Sequence, residues 1–225
     1  MIRAVLFDMD GVLFDTEVLG FQAMSRIAQS LGYAIDLPFY QSTLGVPNAE
    51  AEPLYRALLG PTFPYETAMQ RFRAFFAEYN RTQQGLPHKA GLLPCLTGLK
   101  ARGLRVALAT STQRPLVVAY FNAMPDVATC FDATVCGGEV PNGKPAPDIY
   151  IAAANAVGCA PGDCLGVEDS LNGVRSIRAA GAGCVLIPDL LPYDERFAPY
   201  VDYRLDSLHE VCPLVDRLNG NAPQA

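Results

Sequence analysis

The sequence lacks an excess of positive charge. Lys and Arg number 17 against 23 Asp and Glu, which gives a net charge of −6 and a sequence pI of about 4.9 over 225 residues. A protein that binds nucleic acid along a broad face needs a basic surface, so this composition argues against a nucleic-acid partner. An anionic ligand would have to be held locally, by a metal ion or by a few aimed donors.

Long apolar runs are also missing, since none approaches the ~18 or more residues of a membrane span. The first residues run directly into a short strand that ends in an acid, unlike a signal peptide. We therefore expect a cytoplasmic protein with no membrane partner. The 50% hydrophobic and 18% charged residues suit one large domain, or a core with a smaller inserted domain.

Cysteine pairs and histidines contribute little. The seven cysteines are an odd number, scattered singly among apolar residues without a C-x-x-C pair. They are expected to be reduced and mostly buried, not a disulfide framework or a zinc site. His88 and His209 lie away from predicted strand ends, so both are expected to be solvated and not catalytic.

Residues 2–17 form the segment around which the chain is organised. An apolar run there ends in Asp8 and Asp10, followed by Gly11. In an open α/β sheet, ligands bind beyond the carboxyl ends of the strands, so both acids point to a site. Two neighbouring carboxylates are stable only if one is protonated or a cation lies between them. An isolated D-x-D is about as often a turn cap or a solvated loop, so the rest of the chain must decide.

The remaining pattern divides the chain into two parts. Between residues 16 and 84 the spacing predicts helices and no strand, whereas strands and helices alternate after Gly91. Alternation implies right-handed crossovers and a parallel sheet, hence an α/β protein with a Rossmann-like doubly wound core. We expect residues 1–15 and 89–225 to form that core. Residues 16–88 would be an inserted helical cap joined by two hinge segments, with Phe72, Phe76 and Tyr79 in the interior of the cap.

Two later strands end in polar residues. The strand LRVALA is followed by Thr110, Ser111 and Thr112, whose hydroxyls and N–H groups could seat a phosphate, although such residues before a helix are more often caps. Another strand ends in Glu168 and Asp169. Together with the first strand's two acids they would concentrate four negative charges. Such a cluster requires a divalent cation, and hard oxygen ligands favour Mg²⁺ over zinc.

Lys144 lies in the Gly- and Pro-rich loop GGEVPNGKPAPDIY. A lone loop lysine is usually solvated. This loop leaves a predicted strand toward the acid cluster, where an ammonium would balance both carboxylate and phosphate. We therefore predict that Lys144 faces the site.

These motifs occur in a familiar order: Asp8-Met9-Asp10-Gly11, Thr110 after an apolar strand, Lys144 in GKPAPDIY, and Glu168-Asp169 in GVEDSLNGVRSIRAAG. The combination resembles the haloacid dehalogenase superfamily, in particular the branch with a small helical cap that contains sugar-phosphate phosphatases and β-phosphoglucomutases. The resemblance runs from residue 2 to about residue 187. It implies a Rossmann-like core, an inserted cap, Mg²⁺ dependence and an aspartyl-phosphate intermediate.

The resemblance also implies residue roles. Asp8 would be the nucleophile and a metal ligand, while Asp10 would bind the metal through its backbone carbonyl and serve as acid and base through its side chain. Glu168 and Asp169 would complete the metal site. The phosphoryl group would be held by Lys144 and by the hydroxyl and N–H groups of residues 110–112.

The resemblance leaves the reaction open. We favour a phosphatase acting as a monomer on small phosphorylated metabolites, because residues 43–49 lack the lysine and arginine that the mutases carry around the first cap loop. The alternatives are a β-phosphoglucomutase and, less favoured, a phosphoryl-accepting receiver module. Dehalogenases are disfavoured because they lack the second acid. Candidate cap contacts to substrate are Glu17, Leu44, Val46 and Asn48.

Overall fold

A six-stranded sheet forms the centre of the computed structural model, which describes residues 1–44, 46, 48–83 and 85–220. The strands pair in parallel in the order β3-β2-β1-β4-β5-β6. The strands are β1 (Ala4–Phe7), β2 (Arg105–Gln113), β3 (Ala133–Gly137), β4 (Cys164–Glu168), β5 (Gly183–Leu186) and β6 (Tyr203–Arg204). The predicted α/β fold class, a parallel sheet surrounded by helices, is confirmed.

Helices account for most of the remaining chain. They are α1 (Thr16–Ser30), α2 (Leu37–Thr43), α3 (Asn48–Leu59), α4 (Tyr65–Gln83), α5 (Leu92–Ala101), α6 (Arg114–Ala123), α7 (Pro125–Ala128), α8 (Asp148–Ala156), α9 (Leu171–Ala180) and α10 (Val211–Leu218), with short 3-10 turns at Pro161–Asp163 and Leu208–Glu210. Within the described ranges, none of these helices has the length and apolar character needed to cross a membrane.

The central strand β1 explains how the sheet is buried on both faces. Successive side chains of a strand point to opposite faces. Val5 and Phe7 pack in a cluster with α5, α6 and α10, whereas Ala4 and Leu6 pack in a second cluster with α8 and α9. All four residues are fully buried. The AVLF run therefore needs no polar alternation, because helices cover both of its faces.

Helices α1 to α4 have an apolar cluster of their own. Met24, Tyr40, Tyr55 and Phe63 are buried there, and aromatic rings contact one another edge-on and stacked. The two segments that join these helices to the sheet lie side by side. The Asp15 N–H donates to the Pro87 carbonyl at 2.8 Å, and the Lys89 N–H donates to the Leu13 carbonyl at 2.9 Å. The domain boundaries at residues 15/16 and 88/89 stay a prediction.

Several elements differ from the sequence-based expectation. Helix α2 was not predicted, and neither were the four-residue α7 and the two-residue β6. The assignment of Phe76 and Tyr79 to a cap interior was wrong. Both pack against the cluster that contains Phe7, because α4 lies against the core helix α6, while Phe72 contacts both clusters. The seven cysteines are free, and six of them are buried, as expected.

Candidate active site

Three neighbouring strand ends build the site. Strand β1 lies between β2 and β4, with Phe7 in register with Leu108 on one side and Val167 on the other. The residues that follow these three paired positions therefore meet at one edge of the sheet. This places Asp8, Ser111 and the Glu168-Asp169 pair around a single crevice, as the sequence pattern predicted.

Lys144 lies inside this crevice and does not face solvent. Its ammonium contacts Asp8 Oδ1 at 2.5 Å and Glu168 Oε1 at 2.6 Å, and its side chain is only 8% exposed. The loop that carries it is folded back on α8, because the Asn142 amide donates to Asp148 Oδ1 at 3.0 Å. Sequence reasoning correctly predicted that Lys144 faces the acids.

Glu168 is fully buried and held through both carboxylate oxygens. Besides Lys144, Oε1 accepts a hydrogen bond from the Tyr150 hydroxyl at 3.1 Å. Oε2 accepts from the Asp169 N–H, the Ser170 N–H and the Ser170 hydroxyl, each at 3.0 Å. Ser170 also caps α9, since its hydroxyl accepts from the Gly173 N–H. The orientation of this acid is therefore fixed from several directions.

Two glycines make room for the acids. Gly11 has a positive φ of 77°, and a Cβ at this position would lie 2.3 Å from Asp169 Oδ2. A Cβ at Gly173 would lie 1.8 Å from the carboxylate of Glu168. Both positions exclude larger residues, because the two carboxylates occupy the space that a side chain would need.

The buried acids form a cluster suited to a metal ion. Asp8, Glu168 and Asp169 each offer a carboxylate oxygen, and these oxygens lie within 4.8 Å of one another. The Lys144 ammonium contacts two of them, Asp8 and Glu168. Burial raises the pKa of Asp8 to about 7, against the effect of Lys144 and aided by Glu168 and Asp10. Burial and neighbouring carboxylates also raise the pKa of Asp169 well above its usual value. A hard divalent cation fits this donor set and would relieve its excess negative charge.

Asp10 lies beside this cluster but is held differently. Its Oδ2 accepts a hydrogen bond from the Thr112 hydroxyl at 2.7 Å. The Thr112 N–H in turn donates to the hydroxyl of Thr110, which is fully buried. Burial raises the pKa of Asp10, while the bond from Thr112 acts against that rise. The carboxyl group of Asp10 therefore stands apart from the three-acid cluster.

The side chains of residues 110–112 have different surroundings. They belong to β2, which continues to Gln113, so none of them caps the following helix; Gln113 occupies the N-cap position of α6. Ser111 is exposed and lines the crevice. Thr110 is turned into the protein and Thr112 toward Asp10. Of these three residues only Ser111 lines the crevice, and the phosphate seat stays a prediction.

The crevice opens into a cavity of about 740 Å³, here called the core-side cavity. Asp8, Asp10, Ser111, Lys144 and Asp169 line it from the sheet side. Glu17, Leu44 and Val46 line it from the helical segment, as predicted. Burial, followed by the charges of Asp10, Asp189 and Asp8, raises the pKa of Glu17 to about 8, and the Tyr40 hydroxyl hydrogen-bonds to it. The side chain of Asn48, also a candidate, lies outside the described residues.

Sequence reasoning missed the residues that orient Glu168. Tyr150 is fully buried, and its ring lies 5.1 Å from the Lys144 ammonium. Tyr150 lies six residues after Lys144, in the first turn of a helix. The sequence there indicates only an apolar helix face, and not a hydroxyl that bonds to an acid. For Ser170, the sequence indicates only a residue that can begin a helix. His88 and His209 are exposed, as expected.

Comparison with known proteins assigns the chain to a family. A sequence model of the haloacid dehalogenase-like hydrolases matches residues 2–181. The phosphorylated carbohydrates phosphatase of Thermotoga maritima is 32% identical over 182 residues, which cover 80% of this chain and 82% of that protein. The β-phosphoglucomutase of Bacillus subtilis is 28% identical over 220 residues, covering 93% and 95%. The chain therefore belongs to the haloacid dehalogenase-like hydrolases.

A solved structure agrees with the sequence relatives. The CbbY protein of Rhodobacter sphaeroides, determined in complex with phosphate, superposes with a TM-score of 0.72 at 29% identity, over 94% of this chain and 96% of that one. Within its family the protein is an enzyme, a phosphoric monoester hydrolase.

Proposed function

We propose that the protein is a Mg²⁺-dependent phosphatase of small phosphorylated metabolites, chiefly sugar phosphates, and that the reaction passes through an aspartyl phosphate on Asp8. One observation carries the proposal: a buried lysine bonds to both Asp8 and Glu168, with Asp10 free of that contact and bonded to Thr112 instead. This arrangement separates a nucleophile beside a cation from an acid that can carry a proton.

The first step forms a bond between an Asp8 carboxylate oxygen and phosphorus and breaks the bond from phosphorus to the leaving oxygen. Asp10, protonated, gives its proton to that oxygen. In the second step water attacks the phosphorus of the aspartyl phosphate, Asp10 takes a proton from the water, and phosphate leaves with Asp8 restored. Burial favours the protonated form of Asp10 that the first step needs.

Positive partners offset the charge of the transferring group. Lys144 lies against Asp8, and Ser111 lines the same cavity. Asp8, Glu168 and Asp169 would hold the metal, together with the backbone carbonyl of Asp10 as the family resemblance implies. Bound there, Mg²⁺ would neutralise charge on the phosphoryl oxygens.

A mutase is the second candidate, since a β-phosphoglucomutase is among the relatives. Hydrolysis is favoured because the loop at residues 43–49 contains neither lysine nor arginine, and because its described members on the core-side cavity, Leu44 and Val46, are apolar. Inorganic phosphate released from several hexose phosphates supports the phosphatase. Interconversion of glucose 1- and 6-phosphate with negligible phosphate release would decide for the mutase. The monomeric state and the cytoplasmic location stay predictions.

The nucleophile is tested by Asp8→Asn. This variant keeps the size of the side chain and should lose turnover while remaining folded by circular dichroism. Wild-type enzyme quenched in acid during turnover should carry one phosphoryl group on the peptide that contains Asp8, detected by mass spectrometry. Asp126→Asn, an exposed acid on α7, is the matched control and should retain wild-type rates. Undiminished turnover in Asp8→Asn would disprove the mechanism.

A further inference from the structure

Two thiols that the proposed mechanism does not use meet between helices α5 and α10. Cys95 lies in the first turn of α5, and Cys212 lies in the first turn of α10. The Cys212 thiol donates to the Cys95 carbonyl oxygen at 3.5 Å, and the two thiols also hydrogen-bond to each other. The two residues are 117 positions apart in the sequence. The packing of the two helices, and not a local motif, therefore brings these sulfurs together.

The two sulfurs differ in their access to solvent. Cys95 is buried, with only 3% of the residue exposed, whereas Cys212 is partly exposed. A small solute that approaches the pair from solvent therefore meets Cys212 first. Once Cys212 has reacted, the thiol beside it is the protected one of Cys95.

A guanidinium lies near the more accessible sulfur. A Cβ at Gly98 would lie 3.0 Å from Cys212 Sγ and 3.4 Å from Arg102 Nη1, so both groups border the same turn of α5. Asp216 holds the guanidinium through two hydrogen bonds, at 2.8 and 2.7 Å. The hydrogen bond from Cys95 and the charge of Arg102 lower the pKa of Cys212, against the effect of burial. The same hydrogen bond and burial raise the pKa of Cys95. The thiolate, which is the reactive form, is therefore favoured at Cys212.

A second pair of neighbouring cysteines lacks these properties. The thiols of Cys159 and Cys164 also hydrogen-bond to each other, but both residues are buried, and Cys164 is fully so. Burial raises the pKa of Cys164 to about 12. This pair has neither a partly exposed sulfur nor a thiol whose pKa is lowered, so it serves as an internal comparison.

We propose that Cys95 and Cys212 are a redox-active pair that hydrogen peroxide converts to a disulfide, with Cys212 as the sulfur that reacts first and Cys95 as the thiol that completes the bond. The modification would join α5, which packs on the sheet, to α10. It does not depend on the proposed phosphatase function, because neither cysteine belongs to the candidate active site.

The reaction proceeds in two steps. The Cys212 thiolate attacks one oxygen of hydrogen peroxide, so that an S–O bond forms, the O–O bond breaks and hydroxide leaves, taking up a proton to become water. The Cys95 sulfur then attacks the sulfenic acid on Cys212. The S–S bond forms, the S–O bond breaks, and the departing hydroxide takes the Cys95 thiol proton as a second water. Two thiols are oxidised to one disulfide, and one peroxide is reduced to two waters.

Peptide mapping of the folded, full-length chain tests the product. The protein is treated with hydrogen peroxide, its remaining thiols are alkylated in denaturant, and it is digested with trypsin without a reductant. Mass spectrometry should find peptide 90–100 joined to peptide 205–217, and dithiothreitol should separate the two. A disulfide between any other two cysteines or between two molecules, or the absence of a disulfide, would overturn the proposal.

Variants test the order of the two steps. In Cys95→Ser the sulfenic acid on Cys212 should persist and be trapped by dimedone, whereas in Cys212→Ser dimedone should not label Cys95. Cys159→Ala is the matched control and should give the same cross-linked peptides as the wild type. Circular dichroism checks that each variant is folded. Dimedone on Cys95 in Cys212→Ser, or its absence from Cys212 in Cys95→Ser, would show that the roles assigned to the two sulfurs are wrong.

Discussion

Asp10 lines the core-side cavity together with Asp8, and its surroundings define its chemistry. Its neighbour Asp8 contacts the Lys144 ammonium, whereas Asp10 accepts a hydrogen bond from a neutral hydroxyl, that of Thr112. Two carboxyls only two residues apart thus meet different surroundings. Burial raises the pKa of both carboxyls, and the main influence against that rise is the Lys144 ammonium at Asp8 and the Thr112 hydrogen bond at Asp10.

Asp10→Asn should therefore slow both chemical steps without removing the nucleophile. We expect kcat to fall by about 10²–10⁴-fold, the range for loss of a general acid and base. An activated ester such as p-nitrophenyl phosphate needs little protonation of its leaving group, so its first step should be affected less than that of a sugar phosphate. Stopped-flow release of p-nitrophenol checks this. An equal loss for both esters would show that Asp10 does not protonate the leaving group.

Among the elements of the fold, the turn from β4 into α9 has two roles. It delivers Glu168 to the crevice, and its Ser170 closes the first turn of the helix while donating to that same acid. Gly173 lies on the first turn of α9, pressed against the carboxylate. The site and the helix start are therefore one packed unit.

Gly173→Ala tests this packing. Alanine normally stabilises a helix relative to glycine by about 0.5–1 kcal/mol. Here its Cβ would lie 1.8 Å from the Glu168 carboxylate, and an overpacked site typically costs about 1–3 kcal/mol, so the clash should prevail. We expect a lower free energy of unfolding in urea and weaker Mg²⁺ binding by calorimetry. Gly162→Ala is the control, since the nearest atom to its Cβ would be the Gly181 carbonyl oxygen at 4.0 Å. An unchanged Mg²⁺ affinity in Gly173→Ala would contradict the packing argument.

The elements missed from sequence show where pattern reasoning ends. Helix α2, which contains Pro38, was not predicted from the sequence. The proline in fact occupies the first turn of a helix whose N-cap, Asp36, accepts from the Phe39 N–H at 2.9 Å. That cap was readable in the sequence. Strand β6 has only two residues and exists because it pairs with β5, which no local pattern could indicate.

The residues of the site also include some that the sequence could predict and some that it could not. The strand-end acids and Lys144 were predictable because a parallel sheet brings its carboxyl ends together. Tyr150 was missed because an apolar helix face gives no sign that its hydroxyl donates to Glu168. The inward orientation of the Thr110 side chain could likewise not be predicted, because it depends on where β2 ends.

At the scale of the whole molecule, Lys89 ties three segments together. Its ammonium bonds to Asp15 at 2.6 Å and to Asp189. Asp15 and Lys89 belong to the two segments that join the helical part to the sheet, and Asp189 follows β5. The next residue, Leu190, accepts a hydrogen bond from the Gln41 amide of α2 at 2.6 Å and packs in the cluster of α1 to α4. One cation thus connects both linkers to the segment that touches the helices.

Lys89→Met should loosen this arrangement while keeping the length of the side chain. The Asp189 side chain is only 8% exposed, and its carboxylate would lose the ammonium that it contacts. Breaking a buried pair costs about 3–5 kcal/mol, and because Lys89 itself is 22% exposed we expect a smaller loss of stability, about 1–3 kcal/mol in urea. The linkers should also become more sensitive to limited proteolysis, and kcat/KM for sugar phosphates should fall. Adding Asp189→Asn to the variant should recover part of the stability, since it removes the unpaired charge. If the double variant is no more stable than Lys89→Met, the carboxylate of Asp189 is not what Lys89 neutralises, and the linkers are held by their backbone bonds alone.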